Sequence, residues 1–229
     1  RNNKKKVEKQ DFLNAVDRII GGMEKKSKII SPEEKKTIAF HEAGHATVSW
    51  MLQYASPLIK VTIVPRGRSL GAAWYLPEER QLTTVEQMHD EICSALAGRA
   101  AEELFFGKIS TGALSDLEKV TKQAYAMIGI YGMSKKIGNI SYYDSSGQNS
   151  GFTKPYSEER AKIIDQEVTK LIEDQYNRAK KVIKKYKKKV EELATSLLRK
   201  EVIFKADLEK IFGERRWKSF EEEKLEEKK

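Results

Sequence analysis

Ser31-Pro32-Glu33-Glu34 constrains the fold more than any other stretch, because it sets where one long helix begins and which residues ride on it. Ser31 suits the cap, Pro32 suits the first helical position, and Glu34 completes a capping box. The pattern predicts a helix running to about Tyr54 and ending before Pro57. Its apolar stripe takes in Ile38, His41, His45, Val48 and Leu52, in alternating steps of three and four. Two histidines therefore sit on the side that must be buried.

Those histidines belong to His41-Glu42-Ala43-Gly44-His45, an H-E-x-x-H pattern. Residues four apart on a helix nearly superpose, so both imidazoles face one point. They can grip one zinc ion at about 2.0–2.1 Å each. Glu42 is rotated off that axis, where it can take a proton from a metal-activated water rather than bind the metal. Ala43 and Gly44 are small and let another backbone or a substrate come close. The bland alternative is a pair of hydrogen-bonded core histidines, and chance alone yields the pattern in about one in a hundred chains of this length. The chain has only three histidines, and two fall in the motif on a well-capped helix, which favours the metal.

A catalytic zinc takes three protein ligands and keeps one position open. His89 is the remaining histidine. Glu102 and Glu103, within Gly98-Arg99-Ala100-Ala101-Glu102-Glu103, are rivals, since a second helix often supplies a Glu. Asp116 is another, although an Asp in the first turn of a helix is already favoured by the helix dipole. Spacing does not choose among these four.

The rest of the pattern predicts a mainly α fold with a small β-sheet, α+β in class. Lys60–Val64 and Gly71–Leu76 read as short strands, ended by Pro65-Arg66-Gly67 and Pro77. Thr84 to Phe106 reads as a second helix with a Thr84–Gln87 capping box and Gly107 as its stop. A third is expected from a Ser115 cap to about Tyr131-Gly132. Residues 139–154 read as a loop or weak hairpin. A long helical stretch follows Ser157 and breaks near Lys187, and Phe204–Phe212 is a last short helix. Residues 1–30 contain an amphipathic run, Asp11 to Ile20, stopped by Gly21-Gly22, and then a polar linker. Residues 214–229 read as a charged, disordered tail.

No apolar run is long enough to cross a bilayer, and no signal peptide follows the basic residues Arg1 to Lys6. The chain starts at Arg1, which reads as a piece of something longer. Cys93 is the only cysteine, so no internal disulfide or Cys-based metal site can form. The net charge of +9 raises nucleic acid as a partner. Lysines alternating with glutamates, as over residues 180–192, read instead as solvated helix faces, and no aromatic-interleaved groove supports a nucleic-acid partner.

Taken together the motifs resemble the protease domain of the FtsH-type AAA+ metalloproteases, bacterial and mitochondrial (m-AAA and i-AAA). The likeness spans residues 8–213. It rests on Asp17-Arg18-Ile19-Ile20-Gly21-Gly22, His41-Glu42-Ala43-Gly44-His45, Val64-Pro65-Arg66-Gly67, Tyr75-Leu76-Pro77, Gly98-Arg99-Ala100-Ala101-Glu102-Glu103, Thr111-Gly112-Ala113 with Asp116-Leu117, and Lys154-Pro155-Tyr156-Ser157. Ala72-Ala73-Trp74 is similar to the Bacteroidetes-type and m-AAA branches. The resemblance implies one zinc per chain, held by His41, His45 and Asp116, with Glu42 as general base and Glu102 in support. It implies that an unfolded polypeptide lies against an edge strand, here Gly71, Ala72, Ala73, Trp74, Tyr75 and Leu76. It further implies a zinc peptidase domain over 31–213, with residues 1–30 ending the helical part of an upstream ATPase, and a homo-hexameric ring. The parent protein would be anchored in the bacterial inner membrane or, alternatively, the mitochondrial inner membrane. No G-x-x-x-x-G-K-[ST] is present, so ATP would act only in the upstream module. The competing expectation is a hexamerisation module without hydrolysis. An intact His41, Glu42, His45 and Asp116 counts against it.

Overall fold

The computed structural model describes residue 6 and residues 30–65, 70–75, 82–143 and 155–217. The expected helix over 11–20, with its stop and linker, therefore lies outside the described residues, as do Leu76 and most of the 139–154 segment. The fold is mainly helical with one small sheet, as the pattern predicts.

Helix α1 (Pro32–Met51) begins with the expected capping box: Ser31 Oγ accepts from Glu34 N while Glu34 accepts from Ser31 N. Every residue from Ala39 to Trp50 is buried. The helix is thus wrapped on all sides, beyond the single stripe that the spacing predicts. It stops three residues short of the expected Tyr54. Asp90 takes the Tyr54 N–H at 2.9 Å, and Arg215 donates to the Leu52, Gln53 and Ala55 carbonyls. Groups from distant parts of the chain thus satisfy the backbone at this end.

Strand β1 (Leu58–Thr62) pairs antiparallel with β2 (Ala72–Tyr75) on one side and β3 (Val202–Phe204) on the other. β1 begins and ends two residues earlier than expected. Beyond it the Ile63 N–H goes to the Glu201 carbonyl at 3.0 Å, outside the ladder. β3 was not expected, because three residues carry no periodicity. It follows Glu201, whose φ of 61° reverses the chain out of the preceding helix.

Helix α2 (Val85–Phe106) has the expected Thr84–Gln87 capping box and stops at Gly107 in the left-handed region. Ser115 is not the cap of the third helix. A 3₁₀ turn, Thr111–Ala113, precedes α3 (Leu114–Tyr125), and Ser110 caps that turn by accepting from Gly112 N at 3.1 Å. Curling starts one turn early, leaving Ser115 inside the helix. α3 ends in a π-helical turn, Ala126–Ile130. Helices α4 (Glu158–Lys185) and α5 (Lys187–Lys200) break at Tyr186, and α6 (Lys205–Phe212) closes the fold. The main core joins α1, the sheet, one face of α2, the end of α4, α5 and α6; Met88, Ile92 and Leu96 of α2 meet Val120 and Met127 in a second cluster.

Asp90, 3% exposed, holds three elements together: it bonds Tyr54 N and pairs with Arg178 of α4 at 2.6 Å. Asp90→Ala should lower stability by about 2–3 kcal/mol, since the Tyr54 N–H loses its acceptor and Arg178 its ion pair. Urea denaturation of both proteins measures this.

Candidate metal centre

Two helices build the site. His41 and His45 project from α1 toward α2, and α2 answers with a glycine. A Cβ at Gly98 would lie 2.5 Å from His45 Nε2 and closer still to His41 Nε2. Only glycine leaves room there for two rings and an ion between them. The reciprocal contact is Gly44 of α1, where a Cβ would meet the Ala97 carbonyl at 2.5 Å and Ala101 Cβ at 2.7 Å.

Each imidazole is tied by its other nitrogen. His45 Nδ1 donates to the Ser94 carbonyl at 2.8 Å. A carbonyl only accepts, so Nδ1 carries the proton and Nε2 is left with its lone pair. His41 Nδ1 lies 2.6 Å from Glu102 Oε1. Burial works against the Glu102 carboxylate, but His41 and Ser110 outweigh it and hold its pKa below the usual range. Glu102 is therefore an ionised acceptor, and His41 Nδ1 donates to it. The other Glu102 oxygen accepts from Ser110 N at 2.7 Å. One carboxylate thus orients a histidine and fixes the loop that leads into α3.

That loop delivers Asp116. Its Oδ2 lies 3.4 Å from His41 Nε2 and 3.5 Å from His45 Nε2, and the two Nε2 atoms are 3.0 Å apart. Three ligands at about 2.05 Å from a tetrahedral zinc would be separated by about 3.3 Å. The triangle has the size zinc requires, and two imidazoles with a carboxylate are a zinc donor set. The Asp116 side chain is 27% exposed, so the centre opens to solvent on that side.

The charges agree. Burial disfavours a charged His41, yet its hydrogen bonds to the Asp116 and Glu102 carboxylates and the nearby charge of Glu42 push its pKa up to about 10. Burial also opposes Asp116, but both histidines hold it far below the usual carboxylate range. Carboxylates facing two imidazoles make a pocket that calls for a cation: without a metal that cation is a proton on His41, which an incoming ion would displace. Glu42 differs: it is 6% exposed, and burial, only partly offset by the histidines, raises its pKa. A raised carboxylate pKa suits a group that must take up and release a proton.

Of the four rivals for third ligand, Asp116 joins the triangle, and no other His, Cys, Asp or Glu among the described residues does so. Glu102 faces the far side of His41. Glu103 faces α4, accepting from Tyr176 and lying 3.5 Å from Lys180. His89 sits more than two turns before Gly98, and burial and the nearby Arg178 lower its pKa. Gly71, just before β2, leans on the site: a Cβ there would lie 2.6 Å from Glu42 Oε1. Pattern reading missed Gly98, Ser94 and Ser110 as site residues. Only Gly98 left a signal, as a glycine inside a helix.

Residues 28–211 match the model of peptidase family M41. The chain is 64% identical over 226 residues to the ATP-dependent zinc metalloprotease FtsH of Parabacteroides distasonis, covering 99% of this chain and 33% of that protein. It is 54% identical over 212 residues to the Karelsulcia muelleri protein of the same name, covering 92% and 34%. It is 48% identical over 209 residues to a component of the mouse mitochondrial inner membrane m-AAA protease, covering 91% and 26%. The chain spans about a third or less of the length of these curated relatives.

Removing the carboxylate that orients His41 should weaken the metal without unfolding the chain. Glu102→Ala is expected to lower zinc affinity about 10–100-fold, as measured by competition with a chromophoric chelator.

Proposed function

Because the chain belongs to peptidase family M41 and is a zinc-dependent protease module, we propose that His41, His45 and Asp116 are its metal ligands and Glu42 its general base. The observation that carries this reading is the triangle of two Nε2 atoms and one Oδ2, with both Nδ1 atoms engaged elsewhere. Three ligands leave a fourth position open, as catalysis needs. Zinc, when bound, polarises the scissile carbonyl and makes a water acidic enough to lose its proton near neutral pH. Glu42 takes that proton on its carboxylate and passes it to the leaving amide nitrogen. Burial of Glu42 raises its proton affinity, which favours taking the proton up.

The substrate reading rests on β2. It is an edge strand of the described sheet, paired with β1 only, and Gly71 at its start touches Glu42. An extended polypeptide pairing along Gly71–Leu76 by its main chain would run past the metal centre with little demand on sequence. Unfolded polypeptides are therefore the proposed substrate class. No helix among the described residues is long and apolar enough to cross a membrane. ATP-driven unfolding, assembly as a homo-hexamer, and anchorage in a bacterial or mitochondrial inner membrane are proposed for a longer parent protein; the relatives' names carry the ATP dependence and, for the mouse protein, the mitochondrial inner membrane.

Casein hydrolysis with elemental analysis tests the mechanism. The expected result is about one zinc per chain, cleavage lost on chelation and restored by zinc, and a Glu42→Gln protein that keeps its zinc but has no activity. Cleavage surviving in Glu42→Gln would remove Glu42 as the base. Gly71→Ala should cut kcat about tenfold or more at unchanged zinc content, because its methyl group displaces the Glu42 carboxylate.

A further inference from the structure

Three buried or half-buried hydroxyls lie beneath the sheet, and the chemistry above leaves them unused. Tyr75, the last residue of β2, turns its hydroxyl inward, where Ser49 donates to it at 3.2 Å. Ser49 is also hydrogen-bonded to the Ser94 hydroxyl in a short contact. Ser49 stands one turn beyond His45 on α1. Ser94 is the residue of α2 whose carbonyl holds His45 Nδ1. The cluster therefore sits directly beside the metal ligand.

The strand needs an anchor at this end. Its pairing with β1 is irregular between Leu58 and Lys60, the point where Tyr75 pairs. The other end is set by Gly71 against Glu42. A four-residue edge strand with one neighbour has few other constraints on its height above the helices. Burial, with the nearby charges of Glu42 and Asp116, pushes the Tyr75 hydroxyl up to about 12 although the two serines lower it, so it stays neutral.

We propose that Tyr75 is a positioning residue: its hydroxyl, held by Ser49 and Ser94, fixes edge strand β2 at the height where a paired peptide meets the metal. This rests on the reading of β2 as the substrate strand. Tyr75 acts through the strand and touches no reacting atom. The ring alone would fill the same space, and the hydroxyl supplies the register.

The test uses the zinc-loaded 229-residue chain and two probes, acetohydroxamate, which needs only the metal, and a hexapeptide hydroxamate, which needs metal and strand. Calorimetric titration gives both affinities. Tyr75→Phe should bind the peptide hydroxamate about tenfold more weakly, with acetohydroxamate affinity and zinc content unchanged. Ser49→Ala keeps the tyrosine and should weaken the same probe alone, and the double variant should lose less than the product of the two. Equal weakening of both probes, or no weakening of the peptide probe, overturns the proposal. A wild-type chain that binds the peptide probe no better than acetohydroxamate overturns the strand reading, and this inference with it. A wild-type chain that binds neither overturns the metal site itself.

Discussion

Everything at the centre depends on how closely α1 and α2 cross. Gly44 lets α1 rest on the Ala97 carbonyl and on Ala101, and Gly98 lets α2 pass in front of the two imidazoles. Either glycine, replaced by a residue with a side chain, would force the helices apart or fill the space between the rings. The partners of both Nδ1 atoms, Ser94 O and Glu102, belong to α2. Separation of the helices would therefore free both rings at once. α2 is in effect the frame that holds the two imidazoles of α1 in one orientation, with Nδ1 of each turned to α2.

Three carboxylates around those rings have three different environments. Glu102 accepts from His41 and from the Ser110 backbone, and its charge is satisfied. Asp116 is held low by the two histidines it faces. Glu42 is buried without a comparable donor among the described residues, and its pKa rises. Ordinary carboxyl chemistry thus divides by surroundings alone, which on the proposed reading makes one group an orienter, one a ligand and one a proton carrier. The division is also economical in chain length. Glu102 couples the helix that carries His41 to the loop that leads into α3 and Asp116, so one side chain ties together parts of the site 75 residues apart in sequence.

What could be read from sequence follows the range of the interactions. The capping boxes at Ser31 and Thr84 and the stop at Gly107 are local, and the structure has them where the pattern puts them. The true end of α1 depends on Asp90 and Arg215, which are 36 and 160 or more residues away from the groups they bind, and no local signal announces them. β3 is three residues long and exists because Glu201 turns the chain back onto β1. The step from His45 to Asp116 is of the same kind. H-E-x-x-H places two imidazoles together through helical geometry, while Asp116, the third ligand on the proposed reading, comes by way of a loop whose course is set by Glu102 and Ser110. Spacing left four residues open there. Resemblance singled out Asp116, and the fold brings Asp116 to the histidines.

The geometry also bears on what such a site can accept. The imidazole side chains are only 8–10% exposed against 27% for Asp116, and on the proposed reading the way in lies past Asp116 and along β2. A folded surface offers no free strand edge narrow enough to reach a centre set that low. An extended chain does, because strand pairing needs only backbone donors and acceptors and brings successive carbonyls past one point at about 3.3 Å per residue. On the proposed reading, the selectivity of this module lies in conformation rather than in side-chain sequence. It would cut whatever reaches it unfolded and spare what does not. Unfolding is then a separate task, and nothing in the described residues performs it, which fits a module that makes up a third of the proteins it resembles.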